Sequence, residues 1–208
     1  MSDYYMTMIA GNAVSLRTAG PDPGARPPAP GSLHLVQALV NTLSRHTRED
    51  LLAAPAAAAR WLAAAGIFPS GATLTRPQHA VLVELREAIR AVLETHTNRR
   101  DSPEAAARLS TVLLTSRLTV TAGPAGGPRL VCADHDPFSR AIGAVAVAIA
   151  EAGMAGTWQR LKSCPGYRCG WAFYDRSASG SSRWCAMQLC GSRAKMRAYR
   201  DRTTARQP

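Results

Sequence analysis

The sequence predicts a mainly α protein with a small β element. A helical N-terminal domain is followed by a C-terminal four-cysteine module of treble-clef or ribbon-like type, ending in a basic helix. Three observations predict this. Apolar residues recur at helical spacing in several segments between residues 33 and 150, with one intervening stretch of β-prone residues. Four of the five cysteines lie beyond residue 163. The positive charge of the chain is concentrated in the same terminal stretch.

The chain begins with residues 1–31, where "GPDPGARPPAPG" (Gly20 to Gly31) is too rich in Pro and Gly for a packed element. A flexible leader is expected there. Leu33 to Ser44 reads as a helix, because Leu35, Leu39 and Leu43 recur every fourth residue with Val36 and Val40 beside them. Pro55 opens a second helix that Gly66 ends. Thr75, with Gln78 three residues on, forms a capping box for a third helix with a stripe of Leu82, Leu85, Ile89, Val92 and Leu93. Pro103 starts a short helix to about Leu114. The period then changes: "RLTVTAGPAGGPRLVCA" reads as a hairpin around a Gly/Pro loop. Asp136 caps and Pro137 opens a helix with Phe138, Ile142, Val145 and Ile149 on one face. Gly153 and Gly156 mark a break, so the helical domain is expected over 32–157 and the cysteine module over 158–208.

The helical domain holds no glycine-rich phosphate loop and no metal-spaced histidine cluster. Its five histidines fall at unrelated helical phases and read as surface or capping residues. Cys132, in the apolar "RLVCA" strand, reads as a small core residue, with no activating neighbour in sequence. No base, acid or oxyanion donor can be assigned, and the expectation is a protein that is not an enzyme. Asp3 stands where the cationic region of a secretory signal would be, and the apolar stretch Ala141 to Ala150 is too short to span a bilayer. A cytoplasmic protein without membrane contact is therefore expected. Thiols stay reduced there, so clustered cysteines point to metal or redox chemistry before disulfides.

Cys164, Cys169, Cys185 and Cys190 form two C-x4-C pairs fifteen residues apart. Each pair brings two sulfurs over one short turn, and the insert brings the pairs together. Four thiolates fill a tetrahedral shell and leave no open position for water, which favours a structural zinc. An iron–sulfur centre and a redox dithiol are the alternatives, although the C-x-x-C of redox dithiols is absent. The insert contains Trp171, Phe173 and Tyr174, read as packing around the metal, with base stacking the alternative, and a flexible "SASGSS" turn.

From Trp158 onward the chain carries 11 of its 25 basic residues and two of its 14 acidic ones, an excess of nine positive charges against two elsewhere. A polyanion partner is the reading this favours. After Cys190 a helix is expected to about Arg202. Arg193, Arg197 and Arg200 lie on one stripe, Lys195 and Arg202 on another, and Leu189, Met196 and Tyr199 are placed to pack. Such a helix suits phosphate contacts and entry into a major groove.

The quoted residues also resemble a known family. Cys169-Gly170 with Phe173-Tyr174-Asp175, Trp184-Cys185, and Cys190-Gly191-Ser192-Arg193 resemble the signature of the CGNR zinc-finger family of bacterial proteins. There the finger follows a mostly helical domain called ABATE, which "ALVNTL" (Ala38 to Leu43) and "RWLAAAG" (Arg60 to Gly66) resemble. The resemblance implies a transcription regulator whose finger binds DNA and whose N-terminal domain senses a ligand or stress. The ligands implied for zinc are Cys164, Cys169, Cys185 and Cys190. The DNA contacts expected are Arg193, Lys195, Arg197, Arg200 and Arg202. Asn41 is a candidate small-molecule contact, although a helix-capping or buried structural amide is the favoured reading. Ser192 replaces the family's Asn, and Ala38 stands where many relatives carry Asp. The other reading is a zinc-stabilised adaptor docking an acidic protein surface. A homodimer is compatible with a regulator, although no heptad or symmetric surface is legible.

Overall fold

The computed structural model describes residues 16–204. Residues 1–15 of the expected leader, and residues 205–208, lie outside the described residues. Among the described residues, six α-helices and two hairpins follow in the expected order: α1 (Leu33–Val40), α2 (Pro55–Ala64), α3 (Arg76–Asn98), α4 (Pro103–Leu113), β1 (Leu118–Ala122), β2 (Pro128–Cys132), α5 (Pro137–Met154), β3 (Leu161–Ser163), β4 (Ala172–Tyr174) and α6 (Ser192–Thr204).

The helix starts are set by side chains that satisfy otherwise unpaired N–H groups. Thr75 accepts from the Gln78 N–H while the Gln78 side chain accepts from the Thr75 N–H. Asp136 accepts from the Ser139 N–H at 2.8 Å, and Pro137 follows where no donor is needed. Gly66 ends α2 in the left-handed region at φ 74°.

Helix α1 is the centre of the molecule, buried along nearly its whole length. It packs against α3, α5 and β4, while α4 packs on α3 and α2 touches α3. Leu35, Leu39, Leu85, Ile89 and Ile142 are enclosed here. Each contributes about 1.5–3 kcal/mol of burial. The β1–β2 hairpin, antiparallel with Val120 opposite Leu130, lies on the outer face of α5. At that contact a side chain on Gly143 would collide with Cys132, so the glycine seats the hairpin on the helix. Burial pushes the Cys132 thiol up, as suits a packing residue. Helix α5 is long and apolar enough by composition to cross a membrane. Its Ala141, Ile142, Val145 and Ala148 are buried, and the helix packs against α1 and β2, so this apolar face belongs to the core.

Two expectations are corrected. The first helix stops at Val40 rather than Ser44, because Asn41 turns its amide to the backbone of Ala172 and Thr42 bonds back to the Leu39 carbonyl. Residues 16–31 are not a loose leader. Ala19 and Ala29 are buried, Ala19 N–H donates to the Asn41 carbonyl at 2.8 Å, and Ala29 N–H donates to Gln37 Oε1. Pro and Gly break regular structure here, and the backbone and side chains of the α1 region supply the partners instead. At the expected boundary of 157/158 the motif changes while the buried core continues across it. Leu161, Ala172 and Tyr174 belong to the same buried cluster as α1, α3 and α5.

Candidate metal centre and nucleic-acid interface

The site is built on the β3–β4 hairpin, which pairs Leu161 with Tyr174 and Ser163 with Ala172. Between these strands the first C-x4-C folds as a tight knuckle. Cys164 N–H donates to the Trp171 carbonyl at 2.9 Å, Gly170 N–H to the Cys164 carbonyl at 3.1 Å, and Cys169 N–H to the Gly166 carbonyl at 2.9 Å. Closing it puts Arg168 (φ 55°) and Gly170 (φ 63°) in the left-handed region. A side chain on Gly166 would press on Cys190, so this glycine lets the two pairs meet. The second pair enters a π turn, Met187–Gly191, that runs directly into α6. Cys190 N–H donates to the Ala186 carbonyl at 2.9 Å, fixing its sulfur over the knuckle.

The four sulfurs lie within 4.8 Å of one another. Cys169 to Cys185 and Cys185 to Cys190 are each 3.7 Å apart. A tetrahedral zinc with bonds of about 2.3 Å requires sulfur–sulfur edges of about 3.8 Å, so the cage fits the ion. The donor chemistry agrees. Hydrogen bonds from Cys169 and Cys185 hold the Cys164 thiol down, while the bond to Cys164 pushes the thiols of Cys169 and Cys185 up. Sulfurs this close do not all ionise on their own, and a divalent cation removes that obstacle.

The surroundings brace the cage. Arg26 Nε donates to the Cys185 carbonyl at 2.8 Å and Nη2 to the Trp184 carbonyl at 3.0 Å, with the guanidinium 4.9 Å over the Phe173 ring. Asp22 accepts from Trp171 Nε1 at 3.0 Å. The Pro/Gly-rich segment is thus a strap across the ligand loop. Trp171 and Phe173 are buried with the cysteines, which suits packing around the metal rather than base stacking, while Tyr174 is buried in the core of the body. The "SASGSS" turn is tied down: Asp175, fully enclosed, accepts from Lys162 Nζ (2.8 Å), Ser177 N–H (2.9 Å), Ser177 Oγ (2.7 Å) and Ser182 N–H (2.8 Å).

The body grips the same hairpin. Arg90, buried in α3, donates to the Gly170 and Val40 carbonyls. His96 Nδ1 meets the Leu161 carbonyl at 2.8 Å, and Thr97 donates to the Ser163 carbonyl at 2.7 Å. Asn41 is 2 % exposed, with Nδ2 donating to the Ala172 carbonyl (2.9 Å) and Oδ1 accepting from the Ala172 N–H (2.7 Å). Both ends of its amide are occupied, so Asn41 clamps body to finger. This is the buried structural amide that the sequence reading favours for Asn41.

Arg193, Lys195, Arg197, Arg200 and Arg202 are all exposed on α6. For Arg193, Lys195, Arg197 and Arg202 no carboxylate lies within ion-pair distance among the described residues. Ser192 Oγ donates to the Met187 carbonyl at 3.2 Å, a local bond that ties the helix start to the π turn. The packing expected of Leu189, Met196 and Tyr199 does not occur. All three are exposed, Met196 at 58 % and Tyr199 at 59 %, because α6 projects from the finger with the π turn as its main neighbour.

Sequence reasoning missed Tyr167 and Arg168. Tyr167, 71 % exposed, carries the Arg197 guanidinium 4.3 Å over its ring. Their position inside the first C-x4-C was a usable signal, since a knuckle closed by a metal turns its middle residues outward.

Comparison with known families gives two matches. The model described as "CGNR zinc finger" matches residues 160–203. The ABATE model, described as "Putative stress-induced transcription regulator", matches residues 33–154, more than half of the chain. No curated protein matches the chain. Together with the sulfur geometry, the finger match makes the centre a site for one structural zinc.

Proposed function

The chain belongs to the ABATE family and ends in a CGNR zinc finger; from that premise we propose that it is a zinc-dependent DNA-binding transcription regulator. The observation that carries this reading is α6. It is a projecting helix whose Arg193, Lys195, Arg197 and Arg202 have no carboxylate partner among the described residues and whose start follows directly on the π turn that holds the zinc ligand Cys190. Charges left unpaired on a rigid element attract a polyanion and release its counterions on contact. Zinc supplies order here rather than a nucleophile, because all four coordination positions are filled by sulfur. The reading assigns no catalytic step and places the protein in the cytoplasm.

Arg197→Glu is the informative substitution. In a gel-shift assay on the DNA upstream of its own gene, it is expected to weaken binding about uniformly across sequences and to lower the salt slope by about 1. Unchanged binding by this variant would sink the proposal.

One observation favours a second reading, the protein-interaction adaptor. Met187, Leu189, Met196 and Tyr199 are exposed apolar side chains on the π turn and α6. Partners captured in a pull-down that persist after nuclease treatment, together with no DNA shift, would favour it.

A further inference from the structure

A groove of about 520 Å³ lies between the finger and the body. One wall is the knuckle and α6, with Tyr167, Arg168, Arg193 and Arg197. The other is the loop joining α1 to α2, with Arg45, His46 and Arg48. Asp201 is the one acid among its lining residues. Arg45 is held by Glu87 at 3.3 Å. Arg48, Arg168, Arg193 and Arg197 have no carboxylate partner among the described residues.

We infer that the N-terminal body completes the DNA interface: Arg48, with Arg168 of the knuckle, contacts backbone phosphates of the duplex that α6 engages. The inference rests on the DNA-binding reading and adds to it a surface outside the finger. Three observations support it.

The first is charge. Four cations from three segments converge on one groove, an arrangement that repels itself unless an anion is shared. Arg193 and Arg197 belong to both the groove and the exposed face of α6, so a backbone lying along α6 passes the groove. The second is conformation. Arg48 (φ 63°) and Arg168 (φ 55°) are both in the left-handed region, which a β-carbon disfavours, and both line this groove. The Arg48 turn is held by its N–H donating to the Ser44 carbonyl at 2.8 Å and by Ser44 N–H donating to the Glu49 carbonyl at 2.9 Å. The loop is anchored in the body by the two-pronged ion pair of Arg86 with Asp50, at 2.6 and 3.1 Å. The third is preorganisation. Tyr167 supports the face of the Arg197 guanidinium, leaving its N–H edge for phosphate oxygens.

The test uses glycine substitutions, because glycine removes the charge and relieves the left-handed backbone at the same position. The zinc-loaded full chain is titrated against a fluorescein-labelled mixed-sequence duplex of about 20 base pairs, over a range of salt concentrations. Arg48→Gly and Arg168→Gly are each expected to weaken binding about five- to tenfold and to lower the salt slope by about 1. Their zinc content and thermal stability should match or exceed those of the unaltered chain. Arg60→Gly, which removes a charge on α2 outside the groove, should bind within about twofold of it. If Arg48→Gly binds like Arg60→Gly while Arg197→Glu still weakens binding, the inference fails and the DNA-binding reading stands. Absence of binding by the unaltered protein overturns both. Tighter binding to single-stranded RNA of the same length than to the duplex also overturns the inference.

Discussion

Replacing Cys185 by Ser is expected to remove the zinc and to destabilise the whole chain, not the finger alone. Cys185 is fully buried and its sulfur is 3.7 Å from those of both Cys169 and Cys190, so its loss opens the cage at its centre. Structural zinc contributes roughly 10–16 kcal/mol in isolated zinc-finger peptides, comparable to or above the net stability of a typical domain. The effect spreads because the body donates into the finger. Arg90, Thr97 and Asn41 find their partners on the carbonyls of Gly170, Ser163 and Ala172. An unravelled finger takes one buried hydrogen-bond partner from each of these groups, although Arg90 keeps Glu87 and the Val40 carbonyl and Thr97 keeps the Leu93 carbonyl, at a cost of about 1–3 kcal/mol for each bond lost. Metal analysis should fall from one zinc per chain to none. Thermal unfolding followed at Trp61, in the body, should shift down together with finger signals. Zinc retained in the variant would contradict the ligand set, and an unshifted body transition would contradict the shared core.

Asp175→Asn is expected to destabilise the protein by about 3–5 kcal/mol, the usual cost of breaking a buried ion pair from one side. Lys162 and Asp175 are 4 % and 0 % exposed, and the ammonium also donates to the Gly180 and Ser182 carbonyls. Burial alone would raise the Asp175 carboxyl, but the Lys162 ammonium and the donors of Ser177 and Ser182 hold it well below the usual carboxylate range. A depressed folded-state value means that the stabilisation is complete above the unfolded-state value of about 4. It is lost as pH falls from there through the folded value. Chemical denaturation across that window should show an acid-side loss of stability in the unaltered chain that is smaller in Asp175→Asn. Equal acid slopes in the two proteins would contradict this assignment.

The elements were legible because their signals are local. The Thr75–Gln78 box, Asp136 before Pro137 and the Gly/Pro loop between β1 and β2 each act within a few residues. The zinc ligands were legible because metal spacing is also short-range: two knuckles, each closed over four residues. The resemblance pointed to Phe173-Tyr174-Asp175, and the structure gives the physical reason for the aspartate: it collects four hydrogen bonds from the strand and loop around it. What the sequence hid is pairing over long separations. Arg26 is bonded to residues more than 150 positions away, and Asn41 to one 131 positions away. Neither has a periodicity to betray it, and the Pro/Gly content around Arg26 pointed the other way. Arg48 was hidden for the same reason, since only the folded chain brings the α1–α2 loop beside α6.

The measurement that most directly tests a zinc-dependent DNA-binding regulator is duplex affinity against salt concentration, made on the zinc-loaded chain and repeated after chelation. The expected result is a log–log dependence steeper than about −3 for the loaded protein, since each phosphate contributes about −0.9. Binding should disappear once the metal is removed and return when zinc is restored. Affinity indifferent to salt, or equal before and after chelation, would contradict it.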